Sequence, residues 1–153
     1  MEATVNQNIF DPHANHELVR RLEKLSPKSQ PLWGKMNVCK MLKHCQKPIE
    51  VAEGKLQING GILGFLFGKM AKNNFLKNDF KKNSPTAPEF KIKGDPDYDT
   101  EWNVLRNLIT KFREKGPEVI VNKKHPFFGE MTEEEWGILN YKHMDHHLRQ
   151  FGV

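Results

Sequence analysis

The stretch from Thr132 to Phe151, TEEEWGILNYKHMDHHLRQF, constrains the fold of this chain more than any other. Thr132 and Glu135 stand at the spacing of a capping box, in which each side chain bonds the other's backbone N–H at a helix start. On a helix advancing about 100° per residue, Trp136, Leu139, His143, Met144, His147, Leu148 and Phe151 share one arc of roughly half the circumference. His143 and His147 therefore face inward, and His146, Lys142, Asp145 and Arg149 fall toward the polar side. A buried polar group left unpaired costs about 1–3 kcal/mol. Each inward histidine is thus either a hydrogen-bonded core residue or half of a pair that shares a metal ion. Residues four apart are neighbours on a helix surface, so one ion can take both imidazoles.

The rest of the chain supplies more helices for this one to pack against. Asp11-Pro12 reads as a cap followed by a first-turn proline, with Leu18, Leu22 and Leu25 at helical spacing and Ser26-Pro27 as the stop. A loop from Pro27 to Met36 carries Trp33 and Gly34. Asn37 caps a second helix expected to run to Leu56, with Val38, Met41, Leu42, Cys45, Ile49, Ala52 and Leu56 on its apolar arc. Proline lacks an N–H, so Pro48 removes the helical partner of the His44 carbonyl and predicts a kink there. Gly60-Gly61 breaks the chain before Ile62 to Leu76, a segment that opens apolar and turns basic and is expected to pack into the core.

Residues Asn78 to Pro96, with Pro85, Pro88, Gly94 and Pro96, form a long irregular connection of the kind that often covers a site. Tyr98, Trp102, Leu105, Ile109 and Phe112 mark a further helix over Asp97 to Lys115, ended by Gly116-Pro117. Glu118 to Val121 is a short β-favouring patch expected to be extended, and His125 to Gly129 is a loop.

His44 lies inside the apolar arc of the second helix, near its edge, and is the candidate for a third ligand beside His143 and His147. Three neutral imidazoles leave coordination positions open, the pattern of a catalytic rather than a structural metal site. Zinc is the first choice for nitrogen donors, with nickel as the alternative divalent ion. Gln150, three residues after His147, is placed to orient a ligand or to stand exposed. His125, before a proline in a loop, is a weaker candidate to border the metal-site pocket, and His13 and His16 are less persuasive as well.

Composition closes off several classes. The 153 residues suffice for one domain, 1–153, with a core of useful size. No apolar run is long enough to span a bilayer, so no membrane role is expected. The opening MEATVNQNIF has no basic-then-apolar leader, and Cys39 and Cys45 form no disulfide framework or CxxC pair, so a cytoplasmic location is the default. The net charge of +5 is mild. Its densest stretch, Lys69 to Lys82, interleaves lysines with Phe75 and Phe80, yet a solvated helix face explains it better than single-stranded nucleic acid does. GxSxG, Walker-type and GxGxxG sequences are absent, and Met144 stands where HExxH needs glutamate.

The motifs Trp33-Gly34-Lys35-Met36, Met41-Leu42-Lys43-His44, His125-Pro126-Phe127-Phe128-Gly129 and Glu134-Glu135-Trp136 through His146-His147 resemble those of the DinB/YfiT-like superfamily of metal-dependent four-helix-bundle proteins. The likeness spans nearly the whole chain. It implies an all-α, DinB-like four-helix bundle with an additional short helix and a long loop, its metal held by His44, His143 and His147. Where the superfamily more usually reads HxxHHRGQ, this chain reads HMDHHLRQ, which puts substrate contacts rather than metal binding in question. Related members are transferases and isomerases that use low-molecular-weight thiols, and many are dimers. The resemblance therefore implies a small-thiol transferase acting on a small-molecule substrate, as a homodimer. A metal-dependent hydrolase and a non-catalytic metal-binding or interaction module, paired through Ile62 to Phe67, are the alternatives.

Overall fold

The computed structural model describes residues 7–153 and is mostly helical. The leader reading over residues 1–10 falls largely outside the described residues. Helix α1 (Pro12–Leu22) starts where the Asp11 carboxylate accepts the backbone N–H groups of His13 and Ala14. The second helical segment is two pieces, α2 (Val38–His44) and α3 (Gln46–Ala52), parted at Cys45. This break is the kink that Pro48 predicts, since the His44 carbonyl has no N–H four residues on. The segment ends at Ala52 rather than Leu56. Gly54 takes φ +73°, and the Lys55 and Gly54 N–H groups turn back to the carbonyls of Glu50 and Val51, a Schellman ending.

Helix α4 (Gly61–Lys77) follows, then the long connection, then α5 (Tyr98–Lys115), whose cap Asp97 accepts from Thr100. Residues 116–119 form a short 3-10 turn, so of the patch expected to be extended over Glu118 to Val121, Glu118 and Val119 are turned while Ile120 is extended. Gly116-Pro117 both ends α5 and starts this turn. The loop His125 to Gly129 is held as a small hairpin by β1 (Lys124–His125) and β2 (Gly129–Glu130), paired antiparallel. Helix α6 (Glu133–Gln150) begins at the full capping box of Thr132 and Glu135.

The larger core draws on α1, α2, α3, α5 and α6. Leu18, Leu22, Met41, Leu42, Ile49, Leu105, Ile109 and Leu148 are wholly buried there, each contributing about 1.5–3 kcal/mol relative to exposure. Polar ties fix the register between helices. The Asn15 amide donates to the carbonyls of Ile9 and Ile109 at 2.9 and 2.8 Å, and Arg21 pairs with Asp145 at 2.7 Å. A second cluster gathers Val51, Ala52, Phe75, Met131, Trp136 and Leu139.

Expectations for side-chain placement fail at Lys142 and at the start of α4. Helix α6 is buried on more than one face, so Lys142 lies inside rather than on a polar side. Its ammonium donates to the carbonyls of Phe75 and Asn78 at 2.8 and 3.1 Å, closing the C-terminal end of α4. The apolar start of α4 does not pack into the core either. Only Gly64, Gly68 and Phe75 of that helix are buried, because its inward face rests on the backbone of residues 126–128. Gly60, Gly64 and Gly68 make that approach feasible: a Cβ on Gly68 would stand 2.0 Å from the Phe127 carbonyl oxygen.

Candidate metal centre

The kink at Cys45 leaves His44 as the last residue of α2, facing α6. There it meets His143 and His147. The Nε2 atom of His44 lies 3.1 Å from Nε2 of His143 and 3.0 Å from Nε2 of His147. One ligand atom from each of the three residues falls within 4.8 Å of the other two. The sequence-predicted ligands are therefore brought together, two from one helical face and one from across the core.

Hydrogen bonds on the far side of two rings fix which nitrogen carries the proton. Nδ1 of His44 contacts the Phe90 carbonyl at 2.9 Å, and a carbonyl only accepts, so Nδ1 holds the hydrogen. Nδ1 of His147 contacts Oε1 of Gln150 at 2.8 Å, while Nε2 of the same amide donates to the Trp33 carbonyl at 2.9 Å. The amide is thus oriented by its other end, and Nδ1 of His147 is a donor as well. Both Nε2 atoms are then bare lone pairs facing each other across 3.0 Å. Whatever tautomer His143 takes, that pair repels unless a cation or an added proton stands between its members.

A proton is the poorer remedy. Burial holds His44 below the ordinary imidazole range and drives His143 well below it, with the neighbouring histidines adding to the effect. Burial, reinforced by His44, lowers His147 to about 3. All three rings are neutral near pH 7, which is the protonation state a metal ion requires. The donor set and its orientation therefore fit a divalent cation.

Aromatic side chains surround the three rings. Phe90 meets His44 edge to face at 6.3 Å between centroids, and Phe80 meets His143 in the same way at 6.2 Å. Both come from the long connection after α4, which covers the site as its length suggested. His146 stays outside the three-histidine group, as the wheel places it, but is half-buried, its ring 5.6 Å from that of Trp33 and 6.1 Å from that of Phe80. The Lys82 ammonium lies over the Trp33 ring, 4.4 Å from its centroid. Gly34 has φ +77°, and a Cβ there would approach Nε2 of Gln150 to 2.9 Å. The glycine of the Trp-Gly-Lys-Met stretch thus leaves room for the amide that orients His147.

The other sequence candidates lie elsewhere. His125 is buried, and its Nδ1 accepts the N–H groups of Phe127 and Phe128 at 3.0 and 3.1 Å. It holds the hairpin and borders the cleft under α4 rather than the metal centre. His13 and His16 are exposed. Cys39 and Cys45 are both free, and Cys45 is fully buried against Met41. The carbonyls of Phe90 and Trp33 escaped sequence reading altogether, because a backbone acceptor leaves no residue-type signal.

Fold and site together define a mostly helical protein with a buried three-histidine group able to hold a metal ion. More narrowly, the family described as "Protein of unknown function (DUF1569)" matches residues 5–152, and the chain belongs to that family. No curated protein and no solved structure matches the chain.

Proposed function

We propose that this protein is a metal-dependent enzyme of DinB-like four-helix-bundle type, with α1, the α2–α3 pair, α5 and α6 as its four rods, and that it transfers a small thiol to an electrophilic substrate. The observation that carries the reading is the pair of bare Nε2 lone pairs of His44 and His147, held face to face by proton donation from their far nitrogens. A divalent ion bound there, zinc in the first place and nickel in the second, would act as a Lewis acid that makes a nearby thiol or water more acidic. His44, His143 and His147 hold it, and the Phe90 carbonyl and Gln150 keep the ligand rings aimed. Phe80, Phe90 and Trp33 exclude water from that neighbourhood, and Lys82 offers a cation for a carboxylate of the thiol. The free state of both cysteines suits a reducing cytoplasm.

The test is a conjugation screen with metal-loaded, tag-free protein, using bacillithiol, mycothiol, glutathione and coenzyme A against a panel of electrophiles. Thiol-dependent turnover that disappears in His147→Ala supports the proposal. Inactivity with all four thiols in a protein that retains its metal refutes the transferase reading. Ester or amide cleavage in the same preparation would assign the site to hydrolysis instead.

A further inference from the structure

Helix α4 turns its large apolar side chains to water. Phe65 is 90% exposed, Ile62 77%, Leu63 67%, Met70 65% and Leu66 60%, with Phe67 close behind. Among the described residues, six of the nine exposed large hydrophobics belong to this one helix. At these exposures they leave on the order of 700 Å² of apolar surface open, above the roughly 300–600 Å² of the largest patch on an ordinary monomer. The glycine face explains the arrangement. With Gly60, Gly64 and Gly68 against the backbone of residues 126–128, the apolar residues of the first turns have only outward positions left.

Two further features say what covers them. The first is charge. Residues 61–77 contain no acidic side chain and carry Lys69, Lys72 and Lys77. Exposed Lys124 stands across a cleft of about 510 Å³ that Lys69 and Lys72 also line. Lys72 and Glu135 pair at 3.3 Å, and Glu130 lines the same cleft, so the acids here belong to the start of α6 and to the hairpin, not to α4. A second copy laid on α4 along a twofold axis would set two acid-free, lysine-bearing helices together. The second feature is shape. From Phe65 round to Phe67 the exposed side chains spread over roughly 200° of the helix circumference, wider than the single stripe that a flat protein face covers. A fluid apolar medium covers such a ridge on all sides.

We propose that α4 is an interfacial anchor that seats the protein on an anionic lipid surface. Ile62, Leu63, Phe65, Leu66 and Met70 enter the acyl boundary, and Lys69 and Lys77 meet the headgroups. The helix measures about 25 Å at 1.5 Å per residue. None of the described helices is long and apolar enough to cross a membrane, so α4 lies along the surface. This placement does not depend on the metal centre or its chemistry.

The experiment is co-sedimentation of the full chain with vesicles of phosphatidylcholine alone and of phosphatidylcholine mixed with phosphatidylglycerol, at low and high salt. Binding to the mixed vesicles, weak or absent on the neutral ones and reduced by salt, is expected. Phe65→Glu with Leu66→Glu should abolish it. Lys69→Gln should weaken it about fivefold, the effect of roughly 1 kcal/mol per basic residue. Both variants change exposed positions and should keep the circular dichroism and melting temperature of the parent. Failure to sediment with the anionic vesicles overturns the proposal. So does a dimer, seen by sedimentation velocity, that Phe65→Glu with Leu66→Glu splits into monomers, because the ridge would then be covered by a second copy.

Discussion

Gln150 holds His147 by its amide oxygen and is itself held by its amide nitrogen, at 2.8 Å to the ring and 2.9 Å to the Trp33 carbonyl. A leucine of similar size keeps the packing and removes both bonds. Partners of this kind typically contribute 10–100-fold to metal affinity. Gln150→Leu should therefore bind zinc roughly that much more weakly, as read by competition with a chelator. Parental affinity in that variant would mean that His147 is oriented by something else.

His143→Ala and His147→Ala should each take the bound metal of tag-free protein close to zero by elemental analysis, and His44→Ala should do so as well. The parent should also gain about 2.7 kcal/mol of stability at a free metal concentration 100 times the dissociation constant. In urea unfolding, that gain should vanish from all three variants. Full occupancy in any one of them removes that residue from the ligand set.

Acid should destabilise the metal-free protein through its buried imidazoles. Burial lowers His125 to about 4 and His147 to about 3, below the ordinary value of 6.5. Between about pH 4 and 6.5 the unfolded chain thus binds protons that the folded chain refuses, so stability falls as pH falls through that window. At about 1.36 kcal/mol per unit, His125 alone should account for about 2 kcal/mol between pH 7 and pH 5. Urea unfolding at the two pH values measures the drop. His125→Asn, whose carbonyl oxygen can accept the same N–H groups of Phe127 and Phe128, should remove most of that share.

Glycine substitutions on α4 should rank by clearance. A Cβ on Gly68 would stand 2.0 Å from the Phe127 carbonyl oxygen, whereas on Gly64 the nearest atom is 3.3 Å away. Gly68→Ala should cost about 1–3 kcal/mol, in the range of overpacked cores, and Gly64→Ala clearly less. Equal melting temperatures would show that the hairpin loop yields without strain.

Helix starts were legible from sequence because capping is local. Asp11, Asn37 and Thr132 each cap the helix that their side chains foretold, and Asp97, read as the first residue of its helix, proves to be the cap. The three clustered histidines were legible as well, since burial of a polar ring at helical spacing demands a partner. Legibility failed where distant backbone decides. Nothing in the pattern of Ile62 to Phe67 tells that Gly60, Gly64 and Gly68 will take the inner face of α4. Lys142 reads as polar on any wheel, but the end of α4 lies close enough to satisfy its ammonium in the interior. His146 and Gln150 both contact Trp33, which lies more than a hundred positions earlier in the chain.

The tautomer-setting bonds from the Phe90 carbonyl and Gln150 also bear on transplanting this centre. Three histidines copied onto an unrelated helical scaffold would reproduce the donors without their aim, and free rings would present either nitrogen in turn. A faithful graft must carry Gln150, the glycine that admits it and the turn that offers the Phe90 carbonyl. The portable unit is therefore a constellation of side chains and main chain rather than a sequence signature.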